Sequence, residues 1–458
     1  MRLKKKLIGD REFYLMVLSI ALPIAIQNGF TNFVNLLDNV MVGRIGTEAM
    51  SGVSIANQFV FVFNLCVFGC VSGAGIFTAQ YAGNSDWEGV RNTVRYKLLL
   101  GSLLTVLFSL SIILFGRELI GLFLQGASDG GDIEATLSQG HSYILIMLLG
   151  FPGFMISQVY ASTLRENGET LLPMKAGLTA IVVNLVFNYL LIFGHFSLPR
   201  LGVRGAAVAT VISRYVEAAI VVTRTHSSMK FARGLYSRLR IPSSLAGKIT
   251  RAALPLVCNE TLWAMGMAFL VQCYSTRGLN AVAGYNIFST LLNVFNVALL
   301  AIGNSVGIIV GQLLGAGRIE EAKETDRKMI LFALMVGVVS CFLMLSISRL
   351  FPMIYNTNAE AKRIAADLIA AQALFLPLFA LKNSTYFTLR SGGQVWITII
   401  FDSVFLWTCS VPIAFTVSRF TDLGVVGIFA SVQMGDFIKC AIGLYMIAKG
   451  VWIRRIVV

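Results

Sequence analysis

The chain carries one tripeptide twice, first as Ala21-Leu22-Pro23 and again as Ala253-Leu254-Pro255. At the same spacing, and with no gap, further residues match between the two halves. They are Gly46 and Gly278, Ala49 and Ala281, Phe63-Asn64 and Phe295-Asn296, Gly75-Ile76 and Gly307-Ile308, Gln80 and Gln312, and Gly83 and Gly315. An ungapped repeat that keeps an Asn within an apolar segment indicates two homologous halves. Two homologous membrane halves are typical of transporters, in which one half rocks against the other.

The composition is that of a membrane protein. Hydrophobic residues make up 56% of the 458 residues and charged residues 13%, which is about half the charged fraction of a soluble protein. Apolar stretches of about 20 residues therefore predict membrane-spanning helices. We count twelve, at 13–39, 49–80, 95–115, 139–163, 171–194, 203–223, 250–276, 281–312, 328–350, 364–389, 394–417 and 424–448. The sequence thus predicts an all-α membrane protein with two pseudo-symmetric six-helix lobes. No cleavable signal peptide is expected, because the first apolar stretch belongs to the repeat.

The net charge of +14 is concentrated in the segments that twelve spans would place on one side of the membrane. Basic residues precede the first span, fill the connection between spans six and seven and close the chain, whereas 116–138 is rich in acid. This positive-inside pattern predicts a multi-pass protein of the cell membrane with both termini in the cytoplasm. It also argues against a nucleic-acid partner. We expect an N-terminal lobe (1–223), a basic cytoplasmic linker (224–249) and a C-terminal lobe (250–458) that are parallel to each other.

The residues that catalysis or metal binding would need are scarce. The seven Cys and three His lie in no metal-ligand spacing, and Cys66 and Cys70, one turn apart, are expected to be small packing residues. No nucleotide-binding loop, nucleophile motif or zinc-protease motif occurs. We therefore predict that the protein is not an enzyme and needs no cofactor. Active transport would then depend on an ion gradient or on a partner ATPase.

The first span carries the strongest polar pattern. Asn28, Thr31, Asn32, Asn35, Asp38 and Asn39 recur at three- and four-residue spacing, which places them on one helical face. A charged side chain in hydrocarbon is a functional candidate by default, and no basic residue lies one turn from Asp38. Asp38 is therefore predicted to bind a cation or to carry a proton. For the amides, hydrogen bonding between helices remains an equal alternative.

Other spans add amides and two further acids. Span five carries Asn184 and Asn188, and Glu260 and Asp402 lie in spans seven and eleven. Burial disfavours the charged form of a carboxylate, so a desolvated Glu260 is a candidate proton carrier. The alternative is a buried acid with satisfied hydrogen bonds. Together these polar residues predict a hydrated cavity, for which we select Asn35, Asn64, Trp263, Asn286, Asn293 and Asp402 as lining residues.

Two i,i+3 pairs are expected to neutralise themselves, Arg214 with Glu217 and Asp436 with Lys439. A cytoplasmic gate latch is the alternative role for these pairs. Lys382 in span ten is a possible counter-charge to Glu260 or Asp402, or it extends to the interface.

Several motifs resemble the multidrug and toxic compound extrusion (MATE) family. They occur in the family's order and cover essentially the whole chain. They are Leu22-Pro23, Asp38-Asn39-Val40-Met41-Val42-Gly43-Arg44-Ile45-Gly46, Ala79-Gln80-Tyr81-Ala82-Gly83, Leu164-Arg165-Glu166-Asn167-Gly168, Asn184 to Gly194, Leu201-Gly202-Val203-Arg204-Gly205-Ala206-Ala207 and Leu389-Arg390-Ser391-Gly392-Gly393.

The resemblance implies a twelve-helix antiporter whose two lobes surround a central cavity. Such proteins export amphipathic organic cations or other drugs in exchange for H+ or Na+. Asp38 matches the family's aspartate of the first helix, and Asn184, Asn188 and Thr210 match its neighbours. Glu260 resembles a glutamate implicated in cation coupling in a bacterial branch. Pro23 is expected to let the first helix bend.

This chain departs from the family in two places. Many members have an aspartate at the position of Asn188, and the branch that uses the glutamate adds an acid where this chain has Lys382 and Asn383. The sequence therefore leaves open whether Asp38 takes a proton or holds Na+, the one metal ion we consider. It also leaves open which lobe carries the coupling site.

Two other functions compete with efflux. A flippase for lipid-linked oligosaccharides would need unpaired bases to hold pyrophosphate, whereas the membrane charges here are mainly acidic. A membrane-embedded enzyme would need a catalytic constellation that the sequence does not contain. We therefore expect small-molecule drugs or organic cations as substrates, membrane lipid as surroundings, and a monomer as sufficient.

Overall fold

The computed structural model describes residues 8–124, 132–194, 199–237 and 240–457, except for six side chains, those of Asn35, Leu36, Asn39, Val40, Thr47 and Leu124. Within these ranges, twelve helices are long and apolar enough to cross a membrane, and no residue lies in a β-strand. The predicted all-α membrane fold is thereby confirmed. The helices are α1 (Arg11–Gly43), α2 (Thr47–Gly83), α3 (Trp87–Leu124), α4 (Ile133–Glu166), α5 (Leu171–Phe193), α6 (Val203–Ser228), α7 (Ser243–Ser275), α8 (Leu279–Gly315), α9 (Ile319–Ile347), α10 (Ala359–Ser391), α11 (Val395–Phe420) and α12 (Val425–Ala448).

Several helices extend beyond the apolar spans that the sequence predicts. Helix α3 begins at Trp87 rather than at 95, because Asp86 caps it by accepting the Gly89 amide at 2.9 Å. In its first turns Glu88 pairs with Arg91 and Arg95 at 2.7 and 2.9 Å. Such polar turns are helical by capping and local pairing, which a search for apolar stretches does not detect.

Helix α11 is irregular in its middle. It is α-helical at Val395–Ile399 and Val411–Phe420, but Ile400–Val404 and Leu406–Ser410 are π-helical. π-Helical turns are rare in proteins, but those that occur are often found at functional sites. Asp402 lies in the first of these two stretches.

The described residues group into two compact units. The N-terminal unit comprises Ile26–Thr78 and Asp86–Val257, and the C-terminal unit comprises the described parts of Met1–Ala25, Ala79–Ser85 and Cys258–Val458. Helices α1 and α7 therefore each pass from one unit to the other just after the repeated prolines, Pro23 and Pro255.

Small residues allow close helix packing inside the N-terminal unit. A Cβ on Gly73 would lie 2.4 Å from the Cα of Ala253, and one on Gly69 would lie 2.8 Å from the Cα of Val257. Helices α2 and α7 thus touch backbone to backbone, which is a common arrangement in membrane bundles. After α6, the chain buries Phe231, and Arg95 donates to the Leu235 carbonyl at 2.7 Å.

The C-terminal unit has its own apolar core, in which the first part of α1 packs. The core contains Phe13, Val17, Ile20 and Ile24 from α1 together with residues of α8 to α11 and Trp452 beyond α12. Tyr14 and Phe332 bring their ring centroids to 5.3 Å.

Candidate functional site

In the N-terminal unit, three helices bring Asp38 together with the residues predicted to accompany it. Asn188 of α5 donates from Nδ2 to Oδ1 of Asp38 at 2.5 Å. Asn184, one turn earlier, is best oriented with its amide nitrogen 3.2 Å from the same oxygen, because the opposite orientation turns its oxygen toward the carboxylate. Its amide oxygen then lies 3.3 Å from Oγ1 of Thr210 on α6. Residues far apart in sequence thus form one polar cluster around the Asp38 carboxylate.

This carboxylate has no ionic partner among the described residues. Arg214 on α6 attracts it electrostatically, but the guanidinium is engaged elsewhere. Its Nη1 lies 3.4 Å from Oε2 of Glu217, which agrees with the predicted pair. Its Cζ lies 5.0 Å from the centre of the Phe154 ring. The negative charge of Asp38 is therefore met mainly by amide dipoles.

The cluster has spare acceptor capacity. Oδ1 of Asn188 is buried and has no hydrogen-bond partner among the described residues, although a buried carbonyl oxygen normally has one. The cluster therefore contains three kinds of oxygen atom that could bind a cation, namely the Asp38 carboxylate, the Thr210 hydroxyl and the Asn188 amide carbonyl. Oxygen ligands suit hard cations such as Na+, and a carboxylate in the same place equally suits a proton. No described group of three or more His, Cys, Asp and Glu is placed to hold another metal ion.

The C-terminal unit arranges its membrane acids differently. Lys439 of α12 lies 3.1 Å from Oδ1 of Asp402, and Asn259 of α7 donates to the other oxygen at 3.2 Å. Lys382 of α10 pairs with Asp436 at 2.5 Å. The predicted pair of Asp436 with Lys439 is therefore wrong. Lys382 pairs with Asp436 rather than with Asp402 or Glu260, and the counter-charge of Asp402 is Lys439. The i,i+3 spacing puts Asp436 and Lys439 on one face, but the neighbouring helices α10 and α11 provide closer partners.

Glu260 lies next to this network. It is partly buried on α7 and feels the opposite charge of Arg390 and the like charge of Asp402. Arg390 is itself buried, and its guanidinium lies 5.9 Å from the ring centres of Tyr386 and Phe387. Glu260 forms no ion pair within the described chain. Its role in coupling stays a prediction.

The residues predicted to line a cavity are not joined by described contacts. Asn286, Asn293 and Trp263 are exposed on the C-terminal unit, and Asn64 is partly buried in the N-terminal unit. The side chain of Asn35 lies outside the described residues. Among the described members of this set, Asp402 is the one whose side chain takes part in a polar network within a unit.

Each unit also contains a buried charged group that is not among the predicted site residues. In the N-terminal unit, Lys97 is fully buried and pairs with Glu166 at 2.5 Å. In the C-terminal unit, Asp326 is fully buried, accepts a hydrogen bond from Thr388 at 2.5 Å and has no partner for its second oxygen among the described residues. A lysine inside a predicted apolar span was the available signal for Lys97. Its partner is far away in sequence, so no spacing rule points to it.

Comparison with known proteins gives the family. The family model described as MatE matches residues 23–190 and 255–416. The chain is 28% identical over 460 residues to the probable multidrug resistance protein NorM of Thermotoga maritima, covering 96% of this chain and 93% of that protein. It is 25% identical over 419 residues to the probable multidrug resistance protein YoeA of Bacillus subtilis, covering 89% and 87%.

The fold matches solved transporter structures as well. One is a MOP superfamily transporter from Pyrococcus furiosus, for which reverse polarity of the binding pocket suggests a different function. It superposes with a TM-score of 0.84 at 19% identity, covering 98% of this chain and 97% of the other. The two matched segments of the family model begin at the two repeated prolines, and together they cover most of the chain. The chain therefore belongs to the MATE family of multidrug efflux transporters and is a multi-pass membrane protein.

Proposed function

We propose that this protein is a secondary active antiporter that exports amphipathic, mainly cationic organic compounds in exchange for H+ or Na+ by alternating access. Family membership and the names of the relatives support drug export. The observation that carries ion coupling is the Asp38 carboxylate, which amides surround and no described cation neutralises.

The cluster around Asp38 supports two modes of coupling. A proton would neutralise the carboxylate and leave its hydrogen bonds from Asn188 and Asn184 weaker. Na+ would instead need several oxygen ligands, for which the free Oδ1 of Asn188 and the Thr210 hydroxyl are available. Either ion neutralises a partly buried negative charge on a membrane-spanning helix. In this proposal the coupling ion is the only co-reactant, with no organic cofactor.

Ion binding then has to shift the balance between two states. A shift from 1:99 to 99:1 needs a difference of roughly 5.5 kcal/mol in binding to the two states. A carboxylate that is desolvated in one state and hydrated in the other is of the right kind to supply much of this difference. We further propose that Pro23, where α1 passes from one unit to the other, is the hinge for this change.

The charge distribution supports cationic substrates over pyrophosphate-linked lipids. Lys97, Lys382 and Lys439 are each paired with an acid, so none offers a free ammonium to an anionic head group. The Asp38 carboxylate, by contrast, has no ionic partner among the described residues. The positive-inside pattern supports placement in the cell membrane with both termini in the cytoplasm.

The test is dye efflux from proteoliposomes under separately imposed H+ and Na+ gradients, with wild type beside Asp38→Asn and Glu260→Gln. We expect one gradient to drive efflux and Asp38→Asn to abolish it with expression intact. Efflux at the wild-type rate in Asp38→Asn would remove Asp38 from the mechanism. If neither gradient moves dye in wild type, the antiporter proposal fails and lipid-linked substrates are the next assay.

A further inference from the structure

The chain beyond α12, Lys449–Val457, is not a free tail. Trp452 is 2% exposed and belongs to the apolar core that contains Phe13, Leu314 and Leu389. Val457 is 1% exposed. Gly450, with a φ of +70°, turns the chain out of α12 into this course, and Gln394 donates to the Val451 carbonyl at 3.3 Å. We call this segment the strap.

Gln80, near the end of α2, binds the strap through both the oxygen and the nitrogen of its side-chain amide. Its Oε1 accepts the Ile456 amide at 2.7 Å, and its Nε2 donates to the carbonyls of Arg454 and Ser391 at 3.1 and 3.2 Å. The Arg454 carbonyl and the Ile456 amide are the pair that a neighbouring β-strand would bind. Because Gln80 is fully buried, these bonds are shielded from competing water.

The strap lies against a tight helix crossing. A Cβ on Gly83 would lie 1.9 Å from the carbonyl oxygen of Gln312, and a Cβ on Gly315 would lie 1.9 Å from that of Gln80. The repeated Gln and Gly thus make reciprocal contacts between the ends of α2 and α8, which only glycine permits. At the end of α10, a Cβ on Gly392 would lie 1.8 Å from the Trp452 carbonyl oxygen. The ends of α2, α8 and α10 therefore meet around the strap.

These contacts have a consequence for movement. Residues 79–85 belong to the C-terminal unit, yet they follow directly on the part of α2 that belongs to the N-terminal unit. Any change of state that moves the end of α2 relative to α8 and α10 must break the Gln80 bonds and the contact of Asn84 with Arg455, whose Nη2 donates at 3.2 Å.

We infer that the strap is a latch for alternating access. Gln80 is the positioning residue that holds it closed at this end of the C-terminal unit, and transport requires its release. The inference rests on the proposed antiport function. Neither the strap nor Gln80 belongs to the polar cluster around Asp38.

Labelling tests the latch without measuring transport. In a background with the seven native cysteines replaced, Val457→Cys is reacted with a membrane-impermeant maleimide in open membrane fragments. Gln80→Leu keeps the volume but removes three hydrogen bonds, so we expect labelling to be about tenfold faster. Gln433→Leu is the matched control, because the Gln433 amide pairs with Gln372 instead. Equal labelling rates in Gln80→Leu and its parent would overturn the role of Gln80.

Crosslinking tests whether release is needed. Asn84→Cys with Arg455→Cys is bridged by a short bis-methanethiosulfonate, which reductant removes. We expect dye export to fall at least about tenfold on bridging and to return with reductant. The control bridge joins Asn280→Cys and Glu360→Cys, a hydrogen-bonded pair at the start of α8 and α10, and should leave export unchanged. Undiminished export by the bridged Asn84/Arg455 variant would overturn the latch. Failure of the antiport proposal would look different, because the unbridged parent would export no dye while the labelling result would still stand.

Discussion

Asp38 in the N-terminal unit is met by the amides of Asn188 and Asn184, whereas Asp402 in the C-terminal unit lies 3.1 Å from the ammonium of Lys439. Both are carboxylates of membrane helices, yet only Asp402 has a fixed counter-charge. A paired charge is already neutralised, and removing its partner is costly. A carboxylate that is surrounded only by neutral amide groups is stabilised most when a mobile cation binds to it. This difference supports our proposal that Asp38 is the exchangeable site and Asp402 a structural residue.

Neutralising Asp402 should have the largest effect on stability. Asp402→Asn leaves the buried Lys439 ammonium without its nearest acid, and breaking such a pair costs about 3–5 kcal/mol. Thermal and denaturant unfolding in detergent would measure the loss. The double variant Asp402→Asn with Lys439→Met should recover most of it. A single variant as stable as wild type would show that the pair does not hold the unit together.

Neutralising Asp38 should have little effect on stability and a large effect on transport. Asp38→Asn orphans no cation, so the free energy of unfolding should stay within about 1 kcal/mol of wild type. Ion-driven efflux should nevertheless fall by at least about 100-fold. A variant that loses both stability and efflux would contradict the distinction between the two carboxylates.

Removing the closest donor to Asp38 should have a smaller effect, and its direction identifies the ion. Asn188→Ala deletes a 2.5 Å hydrogen bond to the charged carboxylate, worth about 1.5–3 kcal/mol. For H+ coupling, half-maximal efflux should then need about tenfold less H+, because the ionised form has lost support. For Na+ coupling it should need about tenfold more Na+, because an oxygen ligand is gone.

The control for this prediction is Asn259→Ala, which removes the amide that supports Asp402 instead. It should leave the ion dependence of efflux unchanged. Equal shifts in the ion concentration for half-maximal efflux in the two alanine variants would contradict a special role of Asp38 in ion coupling.

Much of the fold could be predicted from the sequence, because apolar length and an ungapped repeat are signals carried along the chain. The helix ends at Trp87 and Ile319 were less accessible, since capping and local ion pairs extend those helices past their apolar spans. The gathering of Asp38, Asn184, Asn188 and Thr210 could be predicted through the family resemblance, while their chemical role stays a prediction.

The charge partners in the C-terminal unit could not be predicted, unlike the pair of Arg214 with Glu217. Helical periodicity reports neighbours three and four residues apart, and this favours Asp436 with Lys439. The structure instead pairs Asp402 with Lys439 and Lys382 with Asp436. These partners lie on different helices, so their approach depends on helix packing rather than on spacing within one helix.

The most direct test of the account is ion movement driven by the substrate alone. Proteoliposomes receive a dye gradient with no ion gradient, and H+ and Na+ fluxes are read in the opposite direction. Wild type is compared with Asp38→Asn and with the doubly neutralised Asp402→Asn, Lys439→Met protein. We predict that wild type and the double variant move one of the two ions against the dye, and that Asp38→Asn moves neither. Undiminished ion movement in Asp38→Asn would contradict the assignment of the exchangeable site to the N-terminal unit.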